Sequence, residues 1–339
     1  MMAIPPGNTA TASAAGVAGG APSRPEDPVS GLSGRRVLVT GGSGFLGSRV
    51  VNGLCRAGAW VLSVDLTHPR EPAPVECCFE RCDIRSTRLA KVVTSFAPEV
   101  VVHLAARVDV ADSLRRPVLD VDVNVRGTIT VAEAAADAGA GLLVFAGSCA
   151  VYGAPEQLPV GEEHPVRPTT PYGLSKATAL RYVDWFTQSR GLPTTSLILG
   201  NIYGPSVAGS RRGGVIGHFL ADVAARRASE LHGGGRSTRD FVHVDDVADA
   251  VLRACAAPAA GAVNIGSGVE TSVADVYALV RAATGGAGEA VSGPPRGGDI
   301  ERMCLRADRA AQRLDWRPKI ALADGIADLA SGNEMEATA

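Results

Sequence analysis

Val37-Leu38-Val39-Thr40-Gly41-Gly42-Ser43-Gly44-Phe45-Leu46-Gly47 decides the architecture of this chain. Three consecutive apolar residues read as a short strand, and a Gly-x-x-Gly-x-x-Gly turn follows them. Leu46, Val50, Val51 and Leu54 then recur at helical spacing. Strand, glycine turn and helix in that order open a βαβ unit that binds a dinucleotide. Gly41 suits the tight turn, Gly44 lets backbone approach a pyrophosphate, and Gly47 lets the helix pack close to the strand. The helix N-terminus, with Phe45 and Leu46, faces the phosphates. A second strand at Trp60–Val64 ends in Asp65, eighteen residues after Gly47. An acid there accepts hydrogen bonds from the adenosine ribose hydroxyls and repels a 2′-phosphate, so NAD is expected rather than NADP.

Further strands are expected near Val100–Leu104, Leu142–Ala146 and Thr195–Leu199, with helical patterns near 87–96, 118–138 and 172–190 between them. This alternation predicts an α/β fold, a doubly wound parallel sheet over residues 35–200. Past residue 205 the rhythm loosens into helices near 215–227, 244–257 and 272–284, separated by Gly-rich loops. Residues 201–332 therefore read as a smaller C-terminal lobe with segments returning to the main sheet. Residues 1–34 hold few large apolar side chains and predict a disordered arm. Cys82-Asp83-Ile84 closes the expected third strand, where Asp83 can meet an adenine amino group. His103-Leu104-Ala105-Ala106 closes the fourth. Leu104, Ala105 and Ala106 leave room for a cofactor across the strand ends, whereas His103 reads as a core histidine.

The chain has 339 residues and a net charge of −2, which gives no overall basic field for nucleic acid. The longest apolar runs, such as Gly141–Gly147, are far short of the roughly 20 residues of a membrane span. Seven scattered cysteines in so long a chain point to a reducing compartment, and the cytoplasm is expected. Cys77-Cys78-x3-Cys82 lacks a second half, so no metal site is expected.

The reactive end lies at Ser148, just past the Leu142–Ala146 strand, where ligands sit in doubly wound sheets. Pro171-Tyr172-Gly173-Leu174-Ser175-Lys176 opens a helix, and Tyr172 and Lys176, four apart, share one face. A free tyrosine titrates near about 10. A neighbouring ammonium favours its phenolate, and Lys176 can also hold a nicotinamide ribose. Ser148 can hydrogen-bond the substrate oxygen whose proton Tyr172 moves. Only three of 33 basic residues are lysines, Lys91, Lys176 and Lys319. A chain that so strongly prefers arginine keeps lysine where a compact ammonium is needed.

Together these motifs resemble the extended short-chain dehydrogenase/reductase family, and within it the nucleotide-sugar epimerases and dehydratases. The resemblance runs from about Arg36 to Lys319. Its other carriers are Asn124 with Gly127-Thr128, Val151-Tyr152-Gly153, Asn201-Ile202-Tyr203-Gly204-Pro205, Arg239 through Asp246, and Arg296 with Asp299. It implies a Rossmann-like sheet with a substrate-binding lobe, a Tyr172 base, a Lys176 helper and Ser148 as hydrogen-bond partner. It also implies Asn124 at the cofactor, Asn201 at a sugar diphosphate, Arg239 and Arg296 as charge partners, and a homodimer through the helices near 118–138 and 172–190. The family often has arginine three residues before the asparagine; here Ile198 stands there. Related 4,6-dehydratases carry an Asp-Glu pair after the hydroxyl residue. Cys149 and Ala150 occupy those positions, so the acid for elimination is missing and the pattern resembles the 4-epimerases.

The expected reaction is epimerisation at C4 of a UDP-sugar through a 4-keto intermediate, with NAD used catalytically. Arg211 and Arg212 are either partners for a C6 carboxylate or exposed loop charges. The first option tilts the reading to UDP-glucuronate/UDP-galacturonate over UDP-glucose/UDP-galactose. The alternatives are an NAD(P)H-dependent 4-ketoreductase of a nucleotide deoxysugar and a non-catalytic NAD-binding regulatory protein.

Overall fold

Val37, Leu38 and Val39 have no exposed surface, because their strand runs through a sheet covered on both faces. The computed structural model describes residues 29–69, 74, 77–205, 214–286, 288–295 and 300–337. Its strands are β1 (Arg36–Thr40), β2 (Trp60–Asp65), β3 (Cys77–Arg81), β4 (Val100–His103), β5 (Leu142–Ala146), β6 (Thr194–Leu199), β7 (Asn201–Tyr203), β8 (Ser229–His232), β9 (Thr238–His243), β10 (Gly261–Ile265), β11 (Glu270–Ser272) and β12 (Ala290–Gly293). Its helices are α1 (Phe45–Arg56), α2 (Arg88–Phe96), α3 (Val110–Arg115), α4 (Pro117–Val121), α5 (Gly127–Asp137), α6 (Pro171–Arg190), α7 (Gly214–Ala224), α8 (Val244–Ala256), α9 (Val273–Ala283), α10 (Asp308–Leu314) and α11 (Leu322–Ala337).

The main sheet has seven parallel strands in the order β10-β6-β5-β4-β1-β2-β3. Strand order reverses between β1 and β4, which opens a crevice at the strands' carboxyl ends. One face packs on α1 and α8, joining Val50, Leu54, Val247 and Val251 to Val37 and Val39. The other packs on α2, α5 and α6, joining Leu89, Val131 and Val183 to Leu38, Val101 and Phe145. β10, from the C-terminal half, closes the sheet's edge against β6. A second core of Tyr203, Phe219, Phe241, Tyr277 and Ile326 joins β7 and β9 to α7, α9 and α11. There β9 pairs with β7 in parallel and with β11 antiparallel, while β8 and β12 pair separately.

The structure departs from two sequence expectations and refines a third. Residues 29–34 form part of the ordered chain: Ser30–Leu32 is a 3-10 turn, and Leu32 is completely buried in the α1/α8 core. Residues 1–28 of the expected arm lie outside the described residues. The third strand ends at Arg81, so Cys82-Asp83-Ile84 belongs to the turn that follows. The pattern over 118–138 is helical as expected, with a π turn at Asp122–Arg126 between α4 and α5. That turn lies at the site described next.

Candidate active site

Asp65, the Gly-rich turn and the end of β4 meet in the crevice. Gly41 has φ +73°, a region that favours glycine, and a Cβ there would stand 2.7 Å from the Ala105 nitrogen. A Cβ on Gly47 would collide with the Gly41 carbonyl oxygen, so only glycine lets α1 sit on the turn. Gly44, in extended conformation, caps α1. Helix geometry leaves the first N–H groups of α1, around Phe45 and Leu46, without intrahelical acceptors. The Asp65 carboxylate accepts from the backbone nitrogens of Ser43 (3.1 Å), Leu66 (2.6 Å) and Thr67 (3.3 Å), which ties the end of β2 to the turn. Leu104, Ala105 and Ala106 follow β4 and are only partly buried. A narrow glycine cradle, a helix N-terminus and a carboxylate at the next strand fit a dinucleotide with free ribose hydroxyls.

Two expected cofactor contacts are engaged elsewhere. Asp83 accepts from the Arg85 backbone nitrogen and from Nε and Nη2 of the Arg85 guanidinium, at 2.6–3.2 Å. Arg85 also binds Asp122, at 2.6 Å. The lone pairs expected to meet an adenine amino group are therefore occupied, and the guanidinium holds this carboxyl below its usual range. Ile84 is buried in the core under α5. Asn124 is also spent within the chain. Its Oδ1 accepts from the Arg107 nitrogen (2.8 Å), and its Nδ2 donates to the Arg107 carbonyl (3.0 Å), Ser175 Oγ (3.0 Å) and Asp120 Oδ2 (3.3 Å). The π turn around it brings that amide to the loop after β4 and to α6. His103 is a satisfied core residue, bonded to Thr40 Oγ1 (2.7 Å) and Thr128 Oγ1 (2.9 Å). Burial, then the charge of Lys176, lowers it to about 3.

Ser148, Tyr172 and Lys176 converge at the end of β5. Ser148 caps the 3-10 turn Cys149–Tyr152, its Oγ accepting from the Ala150 nitrogen at 3.3 Å. Helix α6 starts with Thr170 Oγ1 accepting from the Gly173 nitrogen, with Pro171 in the first turn. A Cβ on Gly173 would lie 2.6 Å from the Ala150 carbonyl, so glycine beside Tyr172 permits the helix to abut the Ser148 turn. The backbone nitrogen of Tyr172 donates to Ser113 Oγ at 3.2 Å. Both Tyr172 and Lys176 are buried. Lys176 Nζ donates to the Ala146 carbonyl (2.7 Å) and sits over the Phe145 ring (4.8 Å).

The electrostatics differ from the sequence expectation in one respect. Burial pushes the Tyr172 phenol up to about 12, opposed by a hydrogen bond with Ser148 and reinforced by Cys149 and Asp120. The expected lowering by Lys176 is not among these influences; its ammonium is turned to Ala146. Burial brings Lys176 down to about 8, against the charge of Asp120, which favours the ammonium. Cys149, where dehydratases have an acid, is a buried thiol pushed up to about 12.

In the lobe, Asn201 begins β7 in register with Phe241 of β9. Arg239, also on β9, donates to the Thr238 carbonyl, and its charge favours the Cys149 thiolate. Arg211, Arg212 and Arg296 lie outside the described residues. Sequence reasoning missed Asp120, Ser113 and Ser175. Asp120, an acid four residues before Asn124 and so on the same helix face, was the available signal.

Residues 37–266 match the model of the NAD dependent epimerase/dehydratase family. The chain belongs to that family. Among curated members, it is 37% identical over 302 residues to a UDP-glucose 4-epimerase of Mycolicibacterium smegmatis, covering 86% of this chain and 96% of the relative. A Thermus thermophilus UDP-glucose 4-epimerase, in complex with NAD, superposes with a TM-score of 0.82 at 36% identity, covering 88% of this chain and 99% of that one. A Thermotoga maritima UDP-glucose 4-epimerase with UDP-glucose gives 0.83 at 31% identity, covering 90% and 100%. As a family member the chain uses NAD, and the glycine cradle with Asp65 is the part of its crevice suited to that cofactor.

Proposed function

We propose that this NAD-dependent family member interconverts the C4 epimers of a UDP-hexose, with UDP-glucose/UDP-galactose as the pair. The observation that carries the reading is the convergence of Ser148, Tyr172 and Lys176 at the carboxyl end of β5, with a neutral thiol and Ala150 in place of acids that would drive elimination. The relatives' substrates support the hexose pair. The tilt toward a uronate rested on Arg211 and Arg212 alone and receives no support from those relatives.

NAD, when bound, supplies a hydride acceptor for C4 and, in its oxidised form, a positive ring that favours the phenolate of a neighbouring phenol. Tyr172 takes the 4-hydroxyl proton and returns it after the sugar has presented its other face. Its alternation between phenol and phenolate needs a cation nearby, because burial alone keeps it protonated. Ser148 holds the oxygen at C4 and hydrogen-bonds Tyr172. Lys176, with N–H donors beyond the one given to Ala146, holds the nicotinamide-side ribose. Asn201 and Arg239, at the mouth of the lobe, hold the diphosphate while the sugar turns. Gly41, Gly44 and Gly47 admit the pyrophosphate to the α1 N-terminus, and Asp65 selects the free ribose.

The reading also makes the protein a homodimer. Leu174, Tyr182 and Trp185 of α6 are exposed, as are Leu114 of α3 and Val118 and Val121 of α4, which pack beside it. Such an apolar face on a protein without a membrane-crossing helix among its described residues is suited to a second copy.

The test is direct. Purified protein with NAD and UDP-galactose should yield UDP-glucose without added reductant, and the UDP-glucuronate/UDP-galacturonate pair should turn over at least tenfold more slowly. Failure on both pairs overturns the proposal, and a faster uronate reaction restores the uronate reading. Turnover that consumes NADH stoichiometrically would identify a ketoreductase.

A further inference from the structure

Asp120 is a buried carboxylate with no task in the steps above. It stands on α4 with no exposed surface. Its Oδ2 accepts from Ser175 Oγ at 2.5 Å and from Asn124 Nδ2 at 3.3 Å. Its Oδ1 is enclosed and accepts no hydrogen bond among the described residues. Removing a charge from water without satisfying each oxygen is costly, so neutral packing alone would favour an apolar residue here. Ser175 lies between Tyr172 and Lys176 on α6, and its Oγ is also 2.9 Å from the Tyr172 carbonyl. The carboxylate is thus fastened to the turn of helix that carries the reactive pair.

We infer that Asp120 is a positioning residue for the reaction: the fixed countercharge of the Tyr172–Lys176 pair, fastened by Ser175 and Asn124, which sets the pH range over which that pair works. Its charge favours the Lys176 ammonium and disfavours the Tyr172 phenolate. The other titratable groups near the pair are few. From β4 comes His103, lowered and neutral; from the turn after β5 comes Cys149, raised and neutral. On α3, Asp112 is paired with Arg107, Arg115 and Arg116. On the π turn, Asp122 is paired with Arg85 and Arg126, and Asp137 of α5 is paired with Arg190. Asp120 is the acid whose charge these neighbours leave to act on the pair.

The sign of the effect separates this role from a structural one. Without the negative charge, Lys176 loses its proton at lower pH and Tyr172 ionises at lower pH. Activity rises as the phenolate forms and falls as the ammonium is lost, so both limbs of the kcat/KM profile move to acid together. A residue that only braced the helices would lower the profile without moving it.

The inference rests on Tyr172 and Lys176 being the reacting pair, so its test reads charge as well as turnover. With three lysines in the chain, 15N-lysine labelling of the NAD-loaded protein gives three ammonium signals, and loss of one in Lys176→Arg assigns Lys176. In Asp120→Asn the Lys176 midpoint should fall by about one pH unit, with Lys91 and Lys319 unmoved and both activity limbs shifted to acid. Ser175→Ala, which keeps the charge, should leave the Lys176 midpoint near its wild-type value. An unmoved Lys176 in Asp120→Asn, or an equal shift in Ser175→Ala, overturns the inference. If Asp120→Asn does not fold, the Asp120 13Cγ signal of the wild-type protein decides. Ionisation throughout pH 6–9 with a response to the Lys176 titration supports the role, and a protonated carboxyl there overturns it. A protein that shows the coupling yet epimerises no UDP-sugar would defeat the function and leave the charge coupling standing.

Discussion

Tyr172 carries the strongest constraint on chemistry of any single residue, because burial holds its phenol near 12 while Ser148 pulls the other way. Proton transfer by such a group contributes a factor of about 10²–10⁴. Tyr172→Phe should therefore lose at least about 10²-fold in kcat while retaining bound NAD, read from epimer interconversion and cofactor content; near-wild-type turnover would remove Tyr172 from the mechanism. Asp65 makes a second claim at this scale. Its carboxylate is oriented by three backbone N–H groups, and its charge should repel a 2′-phosphate. Asp65→Asn is expected to narrow the preference for NAD over NADP by about tenfold, which is one removed ion–ion contact of about 1.4 kcal/mol, measured as the ratio of dissociation constants. These residues were legible because each stands at a fixed offset from a strand or helix end. The ion pair of Asp83 with Arg85, only two residues on, was not legible, because sequence does not say which way a short-range pair closes.

At the scale of elements, the alternation of apolar runs and helical spacing revealed the parallel sheet, and β1, β2, β4, β5 and β6 fall where periodicity put them. The 118–138 stretch shows where periodicity stops. Its apolar residues recur closely enough for one helix, yet the backbone inserts a π turn so that Asn124 can reach Arg107, 17 residues back, and Ser175, 51 residues on. Long-range partners of that kind leave no local pattern. Asn124 joins the loop after β4 to α6, so its amide supports the placement of Tyr172 and Lys176. Asn124→Ala would leave the Arg107 backbone groups without their amide partner and the Asp120 carboxylate with Ser175 alone. A loss of about 1–3 kcal/mol is expected in urea unfolding, with a weaker kcat and little change in KM. Unaltered stability would show that the loop holds its position without this clamp.

For the whole molecule, the helix that carries the reactive pair has two unlike faces. Tyr172, Lys176, Val183 and Phe186 are buried toward the sheet, while Leu174 is 58% exposed and Trp185 49%. At 100° per residue, positions 174, 178, 182 and 185 form one stripe, and α4 extends it with Val118, which is 82% exposed. In a two-fold dimer each residue of this face meets a symmetry-related region of the partner, so one added charge is buried twice. Trp185→Glu should convert a particle of twice 34.7 kDa into one of 34.7 kDa by light scattering. Tyr172 and Lys176 lie on the other, buried side of α6, so the monomer should keep its epimer interconversion to within a few-fold, with a lower Tm for want of the buried face. A wild-type protein that runs as a monomer at tens of micromolar would show that this stripe serves something other than self-association, and a monomer without activity would show that the dimer holds α6 in its working position.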